Sequence, residues 1–199
     1  MNMIFVILLF FSVVLHEVAH GYTAYKLGDK TAKELGRLTF NPLPHIDILG
    51  TIVLPAFLII TSAPVILAWA KPVPVNPYNF KRPRRDMLWV ALAGPLSNLA
   101  LAVIVSILLK LNIFPSFHHI LVALGFLNII LAIFNLLPIP PLDGSRIAAG
   151  IMPHRWSYKY MQIEPFGFII IFTLLFFGFF KVIFNIAGII SYALGIKIL

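Results

Sequence analysis

The chain is divided into long apolar runs, and the first of them, residues 3–27, stays apolar until Lys26 yet holds the stretch VVLHEVAHGYTAYKL. Hydrocarbon offers no water to backbone N–H and C=O groups. A run of about 20 apolar residues therefore folds as a helix that closes its own hydrogen bonds. Imidazole and carboxylate groups are costly there and mark function by default. The fold and the reason for His16, Glu17 and His20 must be explained together.

Composition supports the class. The 199 residues are 60% hydrophobic and 11% charged, where a soluble domain is about a quarter charged. Further runs cover residues 48–70, 87–110, 118–137 and 163–199, the last suiting two short spans or a helical hairpin. The expectation is an all-α polytopic membrane protein, a single bundle of about five to six transmembrane helices over residues 1–199. Residues 138–162 read as a polar loop punctuated by prolines. MNMIFVILLFFSVVL lacks a basic leader and a small-residue cleavage site, so it reads as retained helix.

Charge sets the topology. Net charge is +8, and lysine and arginine in membrane proteins gather in cytoplasmic loops, so the excess does not call for nucleic acid. Lys26, Lys30, Lys33 and Arg37 precede the run 48–70; Lys71, Lys81, Arg82, Arg84 and Arg85 follow it. A plain crossing would put these groups on opposite faces. Pro55 and Pro64 break a helix, and WAKPVPVN suits extended chain. We therefore expect a re-entrant or β-hairpin element near residues 48–80, the other solution being a plain crossing that defies the charge rule.

HEVAH has the pattern H-E-x-x-H. At about 100° per residue, His16 and His20 lie roughly 40° apart on one helix face, one turn apart, and can meet one metal ion. Glu17 flanks that face, where a carboxylate can take a proton from an activated water. Six residues separate His20 from Lys26, roughly 9 Å of helix, so the site should lie within the hydrocarbon, nearer the cytoplasmic side. With no cysteine, a metal needs His, Asp or Glu, and a catalytic zinc site needs a third protein ligand. Asp47, Asp143, His45, His118, His119 and His154 are available. Asp143 is the best placed: in NLLPIPPLDGSR, Pro138, Pro140 and Pro141 stop a span and Gly144 permits a tight turn beside the carboxylate. Spacing alone leaves open that Asp143 instead N-caps a helix from Gly144 to Met152.

HEVAH in one span, AGPLSN at residues 93–98 in a second, and NLLPIPPLDGSR after a third resemble, in that order, the site-2 protease family of intramembrane zinc metalloproteases. The likeness covers a core of about residues 5–150, leaving 163–199 as C-terminal helices. It implies one Zn²⁺ per chain on His16, His20 and Asp143, with Glu17 as general base. It implies a transmembrane protein as substrate, with Asn135 and Asn98 among its contacts. The other reading is helix–helix hydrogen bonding for Asn135, and close packing of helices for Asn98 and Gly94. The family also implies an extended element that pairs with unwound substrate. Val73 and Val75, among Pro72, Pro74 and Pro77, suit its edge.

PDZ-like and CBS-like modules have no counterpart in the sequence, as in small prokaryotic members, so a prokaryotic plasma membrane is the expected location. His45 and Asp47 read as a structural turn, while His118, His119 and His154 read as surface or interfacial residues. The competing class is a metal-binding or transporter-like membrane protein without peptidase activity. A transporter would not need Glu17 beside His16, and no inverted repeat is visible.

Overall fold

A computed structural model describes residues 3–61 and 69–197. Among the described residues, four helical stretches are long and apolar enough to cross a membrane: Ile4–Lys26, Pro83–Lys110, Pro115–Asn135 and His154–Phe176. Ile48–Leu58 and Phe179–Leu194 are apolar but shorter. The protein is thus a helical membrane protein, with four full-length candidates against the five to six spans the sequence predicts.

Helix α1 (Met3–Lys26) leads through a turn to the short α2 (Thr31–Glu34). A π-helical stretch, Ile48–Val53, runs into α3 (Leu54–Ile60). Helix α4 (Pro83–Lys110) opens on Pro83, whose missing N–H costs nothing in a first turn. It packs against α1, against α5 (His118–Asn135) and against α6 (Asp143–Ile151). Then come α7 (His154–Met161), α8 (Gly167–Phe176) and α9 (Phe179–Leu194). Gly178, at φ +82°, makes the left-handed turn between the last two.

Residues 143–161, expected as loop with a helix from Gly144 to Met152 left open, form α6 and α7. The prolines lie between helices rather than inside them. Pro138, Pro140 and Pro141 fall between α5 and α6, and Pro153 is the N-cap of α7. They punctuate the segment without preventing helix.

The core packs alanines against isoleucines where helices meet. Ala102 of α4, Ile129 of α5 and Ala187 of α9 pack with Ile196, all fully buried. With no hydrophobic drive between helices in lipid, close approach and interhelical hydrogen bonds hold such a bundle.

Helices α1 and α4 run antiparallel: His16 bonds to Asn98, His20 to Val90, and Ala24 clusters with Phe80 and Val90. The last turn of α1 and the first turns of α4 therefore lie at the same end of the bundle. Between them, the Trp69 N–H donates to Gly50 C=O at 3.1 Å, and the Thr51 hydroxyl donates to Trp69 C=O at 2.9 Å. No strand occurs among the described residues, and the expected bend at Pro64 lies outside them. Residues 69–76 carry no helix or turn. The two prolines at 72 and 74 withhold the donors a ladder needs, and the remaining backbone groups bond largely to side chains.

Asp29 ties this segment to the end of α1. Its buried carboxylate accepts from Thr31 N–H at 3.1 Å, Asn76 N–H at 2.7 Å and Asn79 Nδ2 at 2.7 Å. Burial works to raise its pKa, but these hydrogen bonds prevail and hold it below the usual carboxylate range. Its stabilising effect is thus complete above the unfolded value of about 3.9 and is lost as pH falls through the lower native value. Asp29→Ala should cost about 1–3 kcal/mol at neutral pH, and less below pH ~4, in detergent melts of the two proteins.

Candidate metal centre

The apolar sequence of α1 makes the helix, and helical pitch stacks His16 over His20 on the side facing α4. Both rings are fixed from behind. His16 Nδ1 lies 2.6 Å from Asn98 Oδ1, and His20 Nδ1 lies 2.7 Å from Val90 C=O. Both partners are oxygens that accept, so each Nδ1 carries the proton and each Nε2 presents its lone pair. The two Nε2 atoms are 2.9 Å apart.

Asp143 comes from α6 across the cleft. Gly144 makes its approach possible, since a Cβ there would overlap the carbonyl oxygens of Leu136 and Leu137. The N-cap of α6 is Leu142, without a side-chain cap, so Asp143 is the first helical residue and not the cap. Its Oδ2 lies 3.0 Å from His16 Nε2 and 3.2 Å from His20 Nε2.

These three donors form the potential metal-binding group among the described residues, with their ligand atoms within 4.8 Å of one another. Two lone pairs and a carboxylate oxygen this close repel unless a proton or cation lies among them. Tetrahedral zinc at its usual bond lengths needs donor atoms roughly 3.3 Å apart, close to the separations here. The donor set is nitrogen and oxygen only, with three protein ligands, which fits a catalytic rather than a closed structural zinc site.

Glu17 flanks the group, its Oε2 accepting the Val73 N–H at 2.7 Å. Val73, Val75 and Asn135 line a cleft with His16, Glu17, His20 and Asp143. Asn135 donates from Nδ2 to Leu131 C=O at 3.0 Å. Beside the cleft is an apolar cavity of about 260 Å³ walled by Val13, Trp69, Phe134, Phe168 and Ile171.

Asn98, expected among substrate contacts, is fully buried and behind His16. Its Nδ2 donates to Asn128 Oδ1 at 2.7 Å, and Asn128 Nδ2 donates to Ser12 Oγ at 2.8 Å. Sequence reasoning passed over Ser12 and Asn128, both fully buried. The available signal was a polar residue within an apolar span. Of the remaining candidates, His45 is buried and bonds Thr39 C=O through Nε2 at 2.9 Å. Asp47 accepts from Gly50 N–H at 2.7 Å, capping the π-helical stretch. His118, His119 and His154 are exposed, outside the cluster.

Gly94 faces the metal group. A Cβ there would sit 2.5 Å from His16 Nε2 and overlap His20 Nε2. Alanine favours helix over glycine by about 1 kcal/mol, so Gly94→Ala should leave α4 intact. It should instead displace the two rings and lower bound zinc well below the wild-type level, measured by elemental analysis beside a thermal melt.

The Peptidase family M50 profile matches residues 4–115 and 110–178. The protein named Putative zinc metalloprotease YwhC, of Bacillus subtilis, is 43% identical over 182 residues, 85% of this chain and 78% of that protein. Rip2 of Mycolicibacterium smegmatis, also named a putative zinc metalloprotease, is 32% identical over 82% of this chain. Zinc metalloprotease MJ0392 of Methanocaldococcus jannaschii is 29% identical over 76% of this chain. The chain spans 63% of that Rip2 and 35% of MJ0392, less than two thirds of either. No solved structure matches. The family profile covers most of the chain, and both histidines, the glutamate and the aspartate fall within it, so the chain belongs to peptidase family M50, the site-2 protease family.

Proposed function

We propose that the protein is an intramembrane zinc endopeptidase. Its reaction is hydrolysis of a peptide bond within or near a transmembrane segment of a membrane-protein substrate. The observation that carries the reading is the convergence of His16 Nε2, His20 Nε2 and Asp143 Oδ2 on one point, with the Glu17 carboxylate at its side. One Zn²⁺ per chain fits this donor set. Zinc held there supplies Lewis acidity, lowering the pKa of a water toward neutrality and polarising a carbonyl.

The protein's own groups do the rest. Asn98 and Val90 hold the imidazoles in the ligating tautomer. Glu17 takes a proton from the water as its oxygen attacks the carbonyl carbon, then gives that proton to the departing nitrogen as the C–N bond breaks. Asn135, on the cleft wall, binds the unwound substrate backbone. Val73 and Val75 offer it an extended edge, which an unwound membrane segment needs to satisfy its N–H and C=O groups.

The element near residues 48–80 is re-entrant rather than a plain crossing. The antiparallel course of α1 and α4 and the contact of Gly50 and Thr51 with Trp69 support this reading. It puts the basic residues from Lys26 to Arg37 and from Lys71 to Arg85 on one face, the cytoplasmic face by their charge. The metal group is nearer that face, in a prokaryotic plasma membrane.

Purified protein in mild detergent should carry about one zinc per chain and cut a single-span substrate. Glu17→Gln should keep the zinc and lose at least about a hundredfold in kcat, since it removes the base alone. Asp143→Ala should lose zinc and cleavage together. A chelator should abolish cleavage, and zinc should restore it. Undiminished cleavage by Glu17→Gln would refute its role. Zinc without cleavage of any single-span substrate tried would favour a metal-binding membrane protein without peptidase activity.

A further inference from the structure

Arg37 is 8% exposed, and no carboxylate pairs with it among the described residues. A buried arginine is costly unless its donors are used. Here Nη2 donates to two backbone carbonyls, Lys71 C=O at 2.8 Å and Pro72 C=O at 3.3 Å. The Lys71 N–H is used too, donating to His45 C=O at 2.9 Å. The connector that contains Arg37 and His45 thus occupies the backbone of the extended segment up to residue 72.

Beyond that point the segment opens. Val73 C=O and both backbone groups of Val75 have no protein partner among the described residues, and Val73 N–H is held by Glu17. Asn76 closes the far end through Asp29. In extended chain, alternate residues turn their N–H and C=O groups to opposite edges. Pro72 and Pro74 have no N–H, so the edge they share cannot form a ladder. The other edge is blocked at Lys71, offers only the C=O of Val73 because Glu17 takes its N–H, and is open at Val75; both valines line the cleft beside the metal group.

We infer that Arg37 is a positioning residue that gives this segment one short pairing edge and fixes where the edge begins. The inference rests on the peptidase reading. Substrate then adds from Val73 onward, in one register, with its backbone brought to Glu17 and the metal ligands. Because a one-residue slip would turn the other set of backbone groups to the edge, the register determines which bond is cut.

The test uses the full chain, zinc-loaded, as wild type, Arg37→Gln and Arg37→Lys, with a single-span substrate. Readouts are zinc content, kcat, KM, product masses, and amide exchange of residues 69–76. Arg37→Gln should keep its zinc, raise KM about tenfold with kcat within about threefold, the loss of one charged hydrogen bond. It should also cut neighbouring bonds besides the wild-type site and exchange faster at Lys71 and Val73. Arg37→Lys, which retains a donor and a charge, should recover most of this. Wild-type KM, a single unchanged cleavage site and unchanged exchange in Arg37→Gln would overturn the inference. So would equal loss of zinc, kcat and melting temperature in both variants, the pattern of a residue needed only for folding. If wild type itself cuts nothing, the peptidase reading fails separately. Exchange then decides for Arg37: faster in Arg37→Gln sustains the anchor, and equal rates overturn it.

Discussion

His16 and His20 each give the Nδ1 proton to an oxygen of α4, the Asn98 side chain for one and the Val90 carbonyl for the other. Everything the site can do depends on that pair of bonds. They leave both Nε2 lone pairs pointing at one place, against the repulsion of two bases 2.9 Å apart. They also fix α1 against α4 in register, since a shift along either helix would break both. In a bundle held by packing and interhelical hydrogen bonds rather than by exclusion of water, the candidate metal site and the central helix contact are one structure.

The polar chain behind His16 extends the same logic. Asn98, Asn128 and Ser12 satisfy one another across α4, α5 and α1, and Ser12 donates on to Leu8 C=O at 2.8 Å. None of these groups can find water at this depth. Each therefore needs the others in place, which ties the orientation of His16 to the packing of three helices. On the open side, Glu17 and Asp143 arrive from different elements, and between them the cleft faces the extended segment 69–76. The site combines a rigid back made by helices with a front wall of irregular backbone, tolerable within a membrane where protein or a wet cavity covers it.

Much of this was legible in the residues because it is local. The spacing of HEVAH follows from helical pitch, and the prolines with Gly144 mark Asp143 as the end of a span. What the sequence hid is long-range. Asn98 could be picked out in AGPLSN, but not its direction, which depends on His16, 82 positions away. Ser12 and Asn128 are unremarkable until three helices bring them together. A helix at α6 was left open by the spacing, but α7 was obscured because prolines between helices look the same, in sequence, as prolines that prevent them. The tasks of Arg37 and His45 were invisible for another reason: both act on backbone groups of residues 71 and 72, and no side-chain pattern records such bonds.

The central claim is that one metal ion is held by two imidazole nitrogens and one aspartate oxygen. X-ray absorption at the zinc edge tests it most directly, on the zinc-loaded protein. The spectrum should fit about four nitrogen or oxygen neighbours at about 2.0–2.1 Å, with outer-shell scattering from two imidazoles. His16→Ala should remove one imidazole's share from whatever zinc remains. A zinc spectrum with fewer than two imidazoles, or one unchanged by His16→Ala, would contradict the account.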